Sequence, residues 1–462
     1  MKYILSENIA LRSWLRLPYA YYVKDNRNAL GLKKEEYLLL RRCDGAQEIE
    51  DSPLLHDLMQ RGLCRPTKEG DVLSSWQRER IYDNLHFPAL NWMITGKCNF
   101  NCLHCFNAAD NSRLQAEFTL EEAKKLIKEA EECGINAFTI TGGEPMIHPH
   151  FMDIIREIYA HGMYVNELNT NGFFLTKEIL DELRSLGCLP LMKISFDGIG
   201  GHDWLRNHQG AEEYALRAMR LCIENGFMVK SQTNVHRLNV DTMLPTAKVL
   251  SDMGVSEMRI VRTTEIPRWA ENAGDACLTI EEYFDSMTEF LREYVKTEST
   301  MDIDIWNFVC VWPKSKAFRS RAVEYCEGEY RDSRPVCRGN RGMVAVSAEG
   351  NLYPCLQISG YYKSRGWVLG NVKEEGLKKL LQGGDYLDSV CATVGYLKEQ
   401  NEKCRECKWF KYCAGGCRAL GVVFTGDVYG SDTTKCIFFE KGYTEKLQDA
   451  MTDYHNIAPT FV

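Results

Sequence analysis

Cysteines are the residues of this chain whose type and spacing most clearly indicate chemistry. The 462 residues include 19 cysteines, of which eleven gather in two regions, 98–105 and 337–436. Disulfide-rich scaffolds are normally short exported chains, and residues 1–12 contain no apolar run of secretory length. In a long chain kept in a reducing compartment, clustered cysteines more often bind metal. The cysteine usage therefore predicts metal centres held by thiolates.

The first group, Cys98, Cys102 and Cys105, has the spacing C-x3-C-x2-C directly after a predicted strand. Three thiolates leave one iron of a 4Fe–4S cluster without a protein ligand, and that iron can take a small chelating molecule. A zinc site or buried free thiols are the other interpretations. Structural zinc requires four ligands, and His104 lies between two of the cysteines, where it would strain such a site. We therefore favour an iron–sulfur cluster.

The second group is larger, and its spacing is more specific than a single C-x2-C pair. It runs as Cys337, Gly350, Cys355, Cys404-x2-Cys407-x5-Cys413-x3-Cys417 and Cys436. A zinc ribbon built on Cys404 and Cys407 would account for four cysteines and leave three unexplained. The full spacing favours further iron–sulfur sites. Four other cysteines lie within predicted helices or at strand starts and are predicted to be core residues: Cys43, Cys133, Cys188 and Cys222.

Alternating elements are predicted to position the first group. The candidate strands are 89–95, 137–141, 164–169, 191–195, 229–234 and 257–261, and the candidate helices are 120–133, 151–161, 177–186, 212–225 and 240–253. Thr119, followed by two glutamates, is a good N-cap for the first of these helices. Six βα units predict a parallel sheet with right-handed crossovers, in the form of an open partial barrel. Ligands then belong at the carboxyl ends of its strands.

The chain divides into four predicted regions. Residues 1–85 form a small winged-helix-like domain with a strand at 19–23, helical stretches at 33–40 and 54–63, and a polar linker at 76–86. The α/β barrel occupies 86–275. A bridging helical segment follows at 276–325, with its helix at 278–297. Residues 326–462 are rich in Gly and Cys and poor in long periodic segments, which fits a domain organised by metal.

Charge and hydropathy exclude two classes of partner. The formal net charge is -8 and no basic tract is present, so nucleic-acid binding is not expected. The sequence contains no apolar run long enough to span a membrane. We expect a cytoplasmic protein.

The cysteine motif followed by Phe106 resembles the signature of the radical S-adenosylmethionine (radical SAM) superfamily. Gly142-Gly143-Glu144-Pro145 resembles the segment that holds the methionine amino group of SAM in that family. The resemblance implies that these glycines admit the ligand, that Glu144 orients its ammonium group, and that Phe106 packs against its adenine. It also implies further SAM contacts at Asn169, Ser195, Gln232, Asn234 and Arg262. The implied reaction is reductive cleavage of SAM to a 5′-deoxyadenosyl radical that abstracts hydrogen from a substrate.

The second cysteine group resembles the seven-cysteine SPASM domain, which holds two auxiliary 4Fe–4S clusters in related enzymes. By that resemblance, the outer cluster is held by Cys404, Cys407, Cys413 and Cys436. The inner cluster is held by Cys337, Cys355 and Cys417. Its fourth ligand is either Cys326 or a site left open for substrate.

The N-terminal domain is similar to peptide-recognition elements that bind a leader peptide by adding it as a strand to a sheet edge. A plain structural extension is the other interpretation. Together the three domains resemble maturases of ribosomally synthesised and post-translationally modified peptides (RiPPs). Among these they look most like the thioether-forming sactipeptide or ranthipeptide enzymes. The implied partners are a precursor peptide with its leader and a reductant such as flavodoxin or ferredoxin, in an anaerobic bacterium.

Other activities remain open. Related enzymes form carbon–carbon links instead of thioethers. Anaerobic sulfatase-maturating enzymes usually carry an Asp after the cysteine of the Gly-x4-Cys segment, whereas Leu356 follows Cys355 here. A zinc-bearing peptide-binding protein without redox chemistry is the remaining alternative. No catalytic side chain is assigned beyond the cluster and SAM contacts.

Overall fold

The N-terminal unit contains two small sheets and two helices. The computed structural model describes residues 1–24, 26, 28–108, 115–263, 267–324 and 332–457. The elements of the N-terminal unit are β1 (Lys2–Leu5), β2 (Ile9–Trp14), β3 (Leu17–Val23), β4 (Leu30–Gly31), α1 (Lys34–Arg41), β5 (Asp44–Glu48), α2 (Pro53–Gln60), β6 (Cys64–Pro66) and β7 (Arg80–Ile81). The sheet orders are β5-β1-β6 and β4-β3-β2-β7. The predicted strand and both predicted helical stretches are therefore present.

Residues 76–86 are not the polar linker that we expected. Asn84 is fully buried, and its side-chain amide donates to the carbonyl of Cys133 at 3.0 Å. The ring of Tyr82 stacks on Trp14 with centroids 5.2 Å apart. Asn84 and Tyr82 of this segment thus contact both the barrel and the N-terminal unit and hold the two together.

The barrel agrees with the predicted alternation to within three residues at each end. Its elements are β8 (Ala89–Thr95), α3 (Leu120–Glu132), β9 (Ala137–Gly142), α4 (Phe151–Ala160), β10 (Tyr164–Thr170), α5 (Lys177–Ser185), β11 (Leu191–Ser195), α6 (His202–Arg206), α7 (Ala211–Glu224), β12 (Val229–Val235), α8 (Met243–Met253), β13 (Glu257–Arg262) and α9 (Pro267–Asn272). The six strands are parallel and neighbours in sequence order. Thr119 caps α3 as predicted, in a reciprocal capping box with Glu122.

The sheet continues beyond the barrel on both sides, to twelve strands. The further elements on one side are α10 (Ile280–Tyr294), β14 (Asp302–Ile305), β15 (Val309–Trp312) and β16 (Ala317–Ser320). The segment 276–325 therefore holds three strands as well as its predicted helix. Each of these strands has only four residues, too few for a clear alternation in the sequence.

The C-terminal domain is built from short elements around the second cysteine group. They are α11 (Arg338–Arg341), β17 (Val344–Val346), β18 (Leu352–Tyr353), α12 (Ser359–Ser364), α13 (Leu377–Leu380), α14 (Asp385–Val390), α15 (Val394–Gln400), α16 (Glu402–Glu406), α17 (Phe410–Cys413), α18 (Arg418–Thr425), α19 (Thr433–Glu440), α20 (Tyr443–Ala450) and β19 (His455–Asn456). β17 pairs with β8 in parallel. This pairing places the cysteine-rich domain against the first barrel strand.

The described helices include none that is both long and apolar enough to cross a membrane. The cysteines predicted as core residues, Cys43, Cys133, Cys188 and Cys222, are all at most 1% exposed, as expected for small apolar side chains.

Gly134 is the point where the N-terminal unit meets the barrel most closely. It has φ +74°, and a Cβ there would lie 2.6 Å from Tyr82 and 2.7 Å from Trp14. We expect Gly134→Ala to destabilise the protein by about 2–5 kcal/mol, from the left-handed backbone and the overlap together. The control is Gly187→Ala, since Gly187 has φ +72° but open space around it; its expected cost is about 1–2 kcal/mol. Equal melting temperatures for the two variants under anaerobic conditions would contradict close packing at this junction.

Candidate active site

A cavity of about 650 Å³ lies between the carboxyl ends of the barrel strands and the C-terminal domain. Seven of the candidate cluster cysteines line it: Cys98, Cys102, Cys105, Cys337, Cys355, Cys413 and Cys417. Cys404, Cys407 and Cys436 are not among the lining residues. The structure thus brings the first cysteine group and the inner set of the second group to one shared space.

The first group follows β8 on a loop at the carboxyl edge of the sheet. Burial raises the pKa of Cys98 to about 12, and the neighbouring thiols Cys102 and Cys105 add to that shift. Burial likewise raises the pKa of Cys102 to about 11. Thiols with pKa values as high as those of Cys98 and Cys102 are poor thiolates unless a cation stabilises the charged form. The donor set therefore fits an iron–sulfur cluster, which binds its cysteines as thiolates.

The neighbours of the cysteines in the second group are compatible with the two sets implied by the SPASM resemblance, and the assignment of ligands to each cluster stays a prediction. Burial, with a smaller effect from Cys337 and Cys355, raises the pKa of Cys417 to about 12. For Cys413 the pKa is also raised to about 12 by burial, and here the neighbouring thiols are Cys404 and Cys407. Cys436 has Cys404 as its cysteine neighbour. Cys326, the alternative fourth ligand, lies outside the described residues.

These thiols do not form a compact single-ion site. In the described part of the chain, no three His, Cys, Asp or Glu side chains are grouped closely enough to hold one metal ion.

Asp432 connects the two sets of the second group. Its carboxylate is 2% exposed and accepts from the backbone N–H of Cys417 at 2.8 Å. It also caps α19, accepting from Thr434 and Lys435 at 3.0 and 3.3 Å. Because α19 carries Cys436, one buried side chain positions a cysteine of each set.

The two glycines of the 142–145 segment admit protein backbone. A Cβ on Gly142 would overlap the carbonyl oxygen of Thr95, and a Cβ on Gly143 would overlap those of Gly96 and Lys97. Both glycines also line the cavity. Their closest protein neighbour is the segment that leads into the cysteine loop, so both glycines help to position the first cysteine group. Their expected role in admitting the ligand stays a prediction.

Glu144 does not itself line the cavity but hydrogen-bonds to Thr170 and Asn171, which do; its expected role in orienting a ligand ammonium group stays a prediction. Its carboxylate is fully buried and accepts from the Thr170 hydroxyl at 2.9 Å and the Asn171 N–H at 2.8 Å. Burial raises its pKa to about 7. Pro145 is buried beside it and likewise does not line the cavity. The carboxylate of Glu144 therefore orders the start of the loop after β10. It accepts three hydrogen bonds, from the Thr170 hydroxyl and from the backbone N–H groups of Asn171 and Met146.

The other candidate SAM contacts all line the cavity: Phe106, Asn169, Ser195, Gln232, Asn234 and Arg262. The side-chain oxygen of Asn169 is buried without a hydrogen-bond partner among the described residues. Arg262 donates from Nε to the carbonyl of Leu278 at 2.9 Å. Phe106 packs with Leu205 and Trp269. These side chains form a mainly polar part of the cavity lining that also contains an aromatic ring. Such a lining suits a molecule with both polar and ring-shaped parts.

A buried ion pair beside the first cysteine group was not assigned from the sequence. Asp197 is fully buried and accepts from Arg206 at 2.6 Å (Nε) and 3.1 Å (Nη2). The remaining Nη1 of Arg206 donates to the sulfur of Cys102 at 3.9 Å. His202 lies 3.0 Å from the same carboxylate. In the sequence, this ion pair was indicated only by the spacing of His202 and Arg206, which lie one turn apart on α6.

Two family models match the chain in these regions. Residues 92–250 match the radical SAM superfamily, and residues 337–408 match the SPASM iron–sulfur cluster-binding domain. The chain is a radical SAM enzyme with a SPASM domain. Its cofactors are therefore SAM, a 4Fe–4S cluster in the radical SAM domain and auxiliary iron–sulfur clusters in the SPASM domain.

Curated relatives fall into more than one activity class. The AdoMet-dependent heme synthase of Methanosarcina barkeri is 27% identical over 350 residues, covering 75% of this chain and 95% of that protein. The PqqA peptide cyclase of Granulibacter bethesdensis is 23% identical over 374 residues, covering 80% and 91%.

Solved structures share the fold. Streptococcus suis SuiB bound to its precursor peptide SuiA superposes with a TM-score of 0.66 at 13% identity, covering 94% of this chain and 99% of that one. Native anSMEcpe with bound AdoMet and the Cp18Cys peptide superposes with a TM-score of 0.55 at 17% identity, covering 79% and 98%. The α/β fold with a radical SAM core and a SPASM domain is thereby confirmed.

Proposed function

We propose that this enzyme modifies a ribosomally made precursor peptide and joins a cysteine sulfur to a carbon of the same peptide. The observation that carries the proposal is the N-terminal unit in front of a radical SAM–SPASM pair. The fold of SuiB, solved with a precursor peptide, covers 94% of this chain. The heme synthase match leaves about a quarter of the chain uncovered. A domain added to the catalytic pair is suited to recognising a large substrate.

The chemistry is divided between cofactor and chain. SAM and its cluster supply a radical that removes hydrogen from an unactivated carbon. The chain holds the substrate in the cavity between Cys98, Cys102 and Cys105 on one side and Cys337, Cys355 and Cys417 on the other. A peptide residue between these walls is within reach of both metal centres, and the enclosing domain limits access of water and oxygen.

The leader peptide is proposed to add to the open edge of β4. This strand ends the sheet β4-β3-β2-β7, and an edge strand offers unpaired backbone groups to an extended peptide. Leu30 on β4 and Leu38 on α1 are 40% and 45% exposed, which provides apolar contacts for leader side chains.

We expect Leu30→Glu to weaken binding of a labelled precursor peptide by about tenfold, because apolar burial is replaced by a desolvated charge. Fluorescence anisotropy measures the effect. The control is Val72→Glu, since Val72 is 82% exposed in the same unit but away from β4. Equal affinities for the two variants would place the leader on another surface.

The proposed reaction is tested by anaerobic co-expression with the short open reading frame beside the gene, followed by tandem mass spectrometry of that peptide. We expect the loss of two hydrogens per link and a cysteine that no longer alkylates. Loss of two hydrogens with every cysteine still alkylatable would show a carbon–carbon link instead. An unmodified peptide, despite active SAM cleavage, would contradict peptide maturation by this pair.

Two other activities receive less support. In a sulfatase-type enzyme an Asp is expected after Cys355, and here that position is the buried Leu356. Heme synthesis is favoured by a match that covers 95% of the Methanosarcina protein, and it predicts turnover of a porphyrin by this enzyme without any peptide.

The proposed setting is the cytoplasm of an anaerobe, with flavodoxin or ferredoxin as reductant. The proposed cluster ligands are among the 19 cysteines of the chain. Iron–sulfur clusters bound by cysteines persist where thiols stay reduced and oxygen is absent.

A further inference from the structure

Arg259 is a cavity-lining cation whose donors are unused. It lies on β13, and its side chain is 23% exposed. Its Nε is buried without a hydrogen-bond partner. The nearest acid is Asp304, whose carboxylate oxygen is 3.8 Å from Nε, beyond hydrogen-bonding distance. A guanidinium with five donors in a partly enclosed site is therefore available to an incoming acceptor.

Other cations in the same lining are already engaged. Arg206 is paired with Asp197, and Arg321 with Asp304 at 2.9 Å. Arg418 and Lys435 donate to backbone carbonyl oxygens. Arg259 thus differs from these four by lacking a protein acceptor in the described part of the chain.

Lys193 on β11 is a second cation in the lining of the cavity. It lies on the strand that flanks β12 on one side, and Arg259 lies on β13, which flanks β12 on the other side. Lys193 lies 3.3 Å from Glu167, but that glutamate does not line the cavity. Among the described lining residues, Glu324 is the one carboxylate. Cationic side chains therefore outnumber carboxylates among the described residues that line the cavity.

Three buried amides of the cavity lining also lack partners among the described residues. The side-chain oxygens of Asn91 and Asn169 and the side-chain nitrogen of Asn307 are buried, line the cavity and form no hydrogen bond with described residues. Asn169 is in direct register with Lys193. Unsatisfied buried polar groups of this kind indicate space for a polar ligand.

We infer that Arg259 and Lys193 bind a carboxylate of the substrate, so that the peptide segment held at the reaction centre carries an acidic group. The inference rests on the proposed function and names its substrate class. A guanidinium fork matches a planar carboxylate, and the ammonium adds charge at short range. The source of this carboxylate is an Asp or Glu side chain or the peptide C-terminus.

The first experiment uses glutarate and its neutral diamide as probes of the reconstituted holoenzyme with SAM bound, by isothermal titration calorimetry. Glutarate is expected to bind about tenfold or more tightly than glutaramide. Arg259→Gln and Lys193→Met are each expected to remove that preference. The control Arg319→Gln changes an exposed arginine on β16 and is expected to retain it. Equal binding of the two probes by the wild type, or an unchanged preference in Arg259→Gln, would overturn the inference.

Iron content and SAM cleavage without substrate are measured on the same samples. If Arg259→Gln lost SAM cleavage or iron in proportion to its loss of glutarate, the guanidinium would belong to SAM or a cluster and the inference would be wrong.

The second experiment separates this inference from the proposed function. Each Asp and Glu of the co-expressed peptide is replaced by Asn or Gln, and the C-terminus is extended by one Gly-Ser pair to displace its carboxylate. A link lost with one neutral replacement identifies a side-chain carboxylate, and a link lost with the extension identifies the C-terminus. Normal linking of every variant would overturn the carboxylate site while leaving peptide maturation intact. Glutarate binding through Arg259 with no modified peptide would support the site and refute the maturase.

Discussion

Replacement of Cys98, Cys102 and Cys105 together by alanine is expected to abolish SAM cleavage while leaving iron in the SPASM domain. The three thiols lie on one loop and line the cavity on the barrel side. The auxiliary cysteines are held by a separate set of short helices. Loss of one 4Fe–4S cluster removes about four irons per chain. The expected result is therefore no detectable 5′-deoxyadenosine and an iron content lower by about four.

The measurements are chromatography of the SAM products and iron analysis of anaerobically purified protein. Cys188→Ala is the matched control, because Cys188 is fully buried in the barrel core and does not line the cavity. It is expected to cost about 1 kcal/mol of stability at most and to retain SAM cleavage. Retained cleavage in the triple variant would refute the assignment of the first group, and loss of all iron would refute independent auxiliary sites.

Asp197→Asn is expected to destabilise the protein by about 3–5 kcal/mol, because it leaves the buried Arg206 cation without a counter-charge. Asp197 is 0% exposed and Arg206 is 7% exposed. The carboxylate also accepts from the backbone N–H of Asn234 at 2.9 Å. Loss of the charge therefore affects α6, β12 and the contact of Arg206 with Cys102.

Anaerobic denaturation monitored by circular dichroism measures this effect. The control is Asp181→Asn, since Asp181 pairs with Lys177 at 2.5 Å on the surface, where both side chains are more than half exposed. An exposed pair contributes about 0–1 kcal/mol. The double variant Asp197→Asn/Arg206→Met is expected to recover part of the loss, because neither charge remains. Equal stability of the Asp197 and Asp181 variants would contradict the buried pair.

The regular parts of the fold were predictable because their patterns are long. The six barrel strands and their helices alternate, with 5–14 residues in each element. Thr119 and Glu122 form a capping box that predicts the start of α3. The cysteine sets were predictable because their spacings are specific. The assignment of individual cysteines to each cluster stays a prediction, because it depends on how the loops and short helices are placed around a bound cluster.

The features that sequence reasoning missed depend on contacts between distant residues. The polar sequence of residues 76–86 predicts an exposed linker. In the structure Tyr82 of this segment packs against Trp14 and Gly134. The motif of Glu144 also does not predict its hydrogen bonds to Thr170 and Asn171, which lie 26 and 27 residues away. Such contacts are set by tertiary packing and leave no local pattern.

The position of Asp432 bears on how the SPASM domain acquires its iron. The same carboxylate fixes Cys417 in one set and caps the helix that carries Cys436 in the other. When ligands in one set are ordered by a metal centre, the shared anchor is ordered as well, and less conformational entropy remains to be lost at the second set. We therefore expect loading of the two auxiliary sites to be positively cooperative, so that protein carrying a single auxiliary cluster is a minor species during assembly.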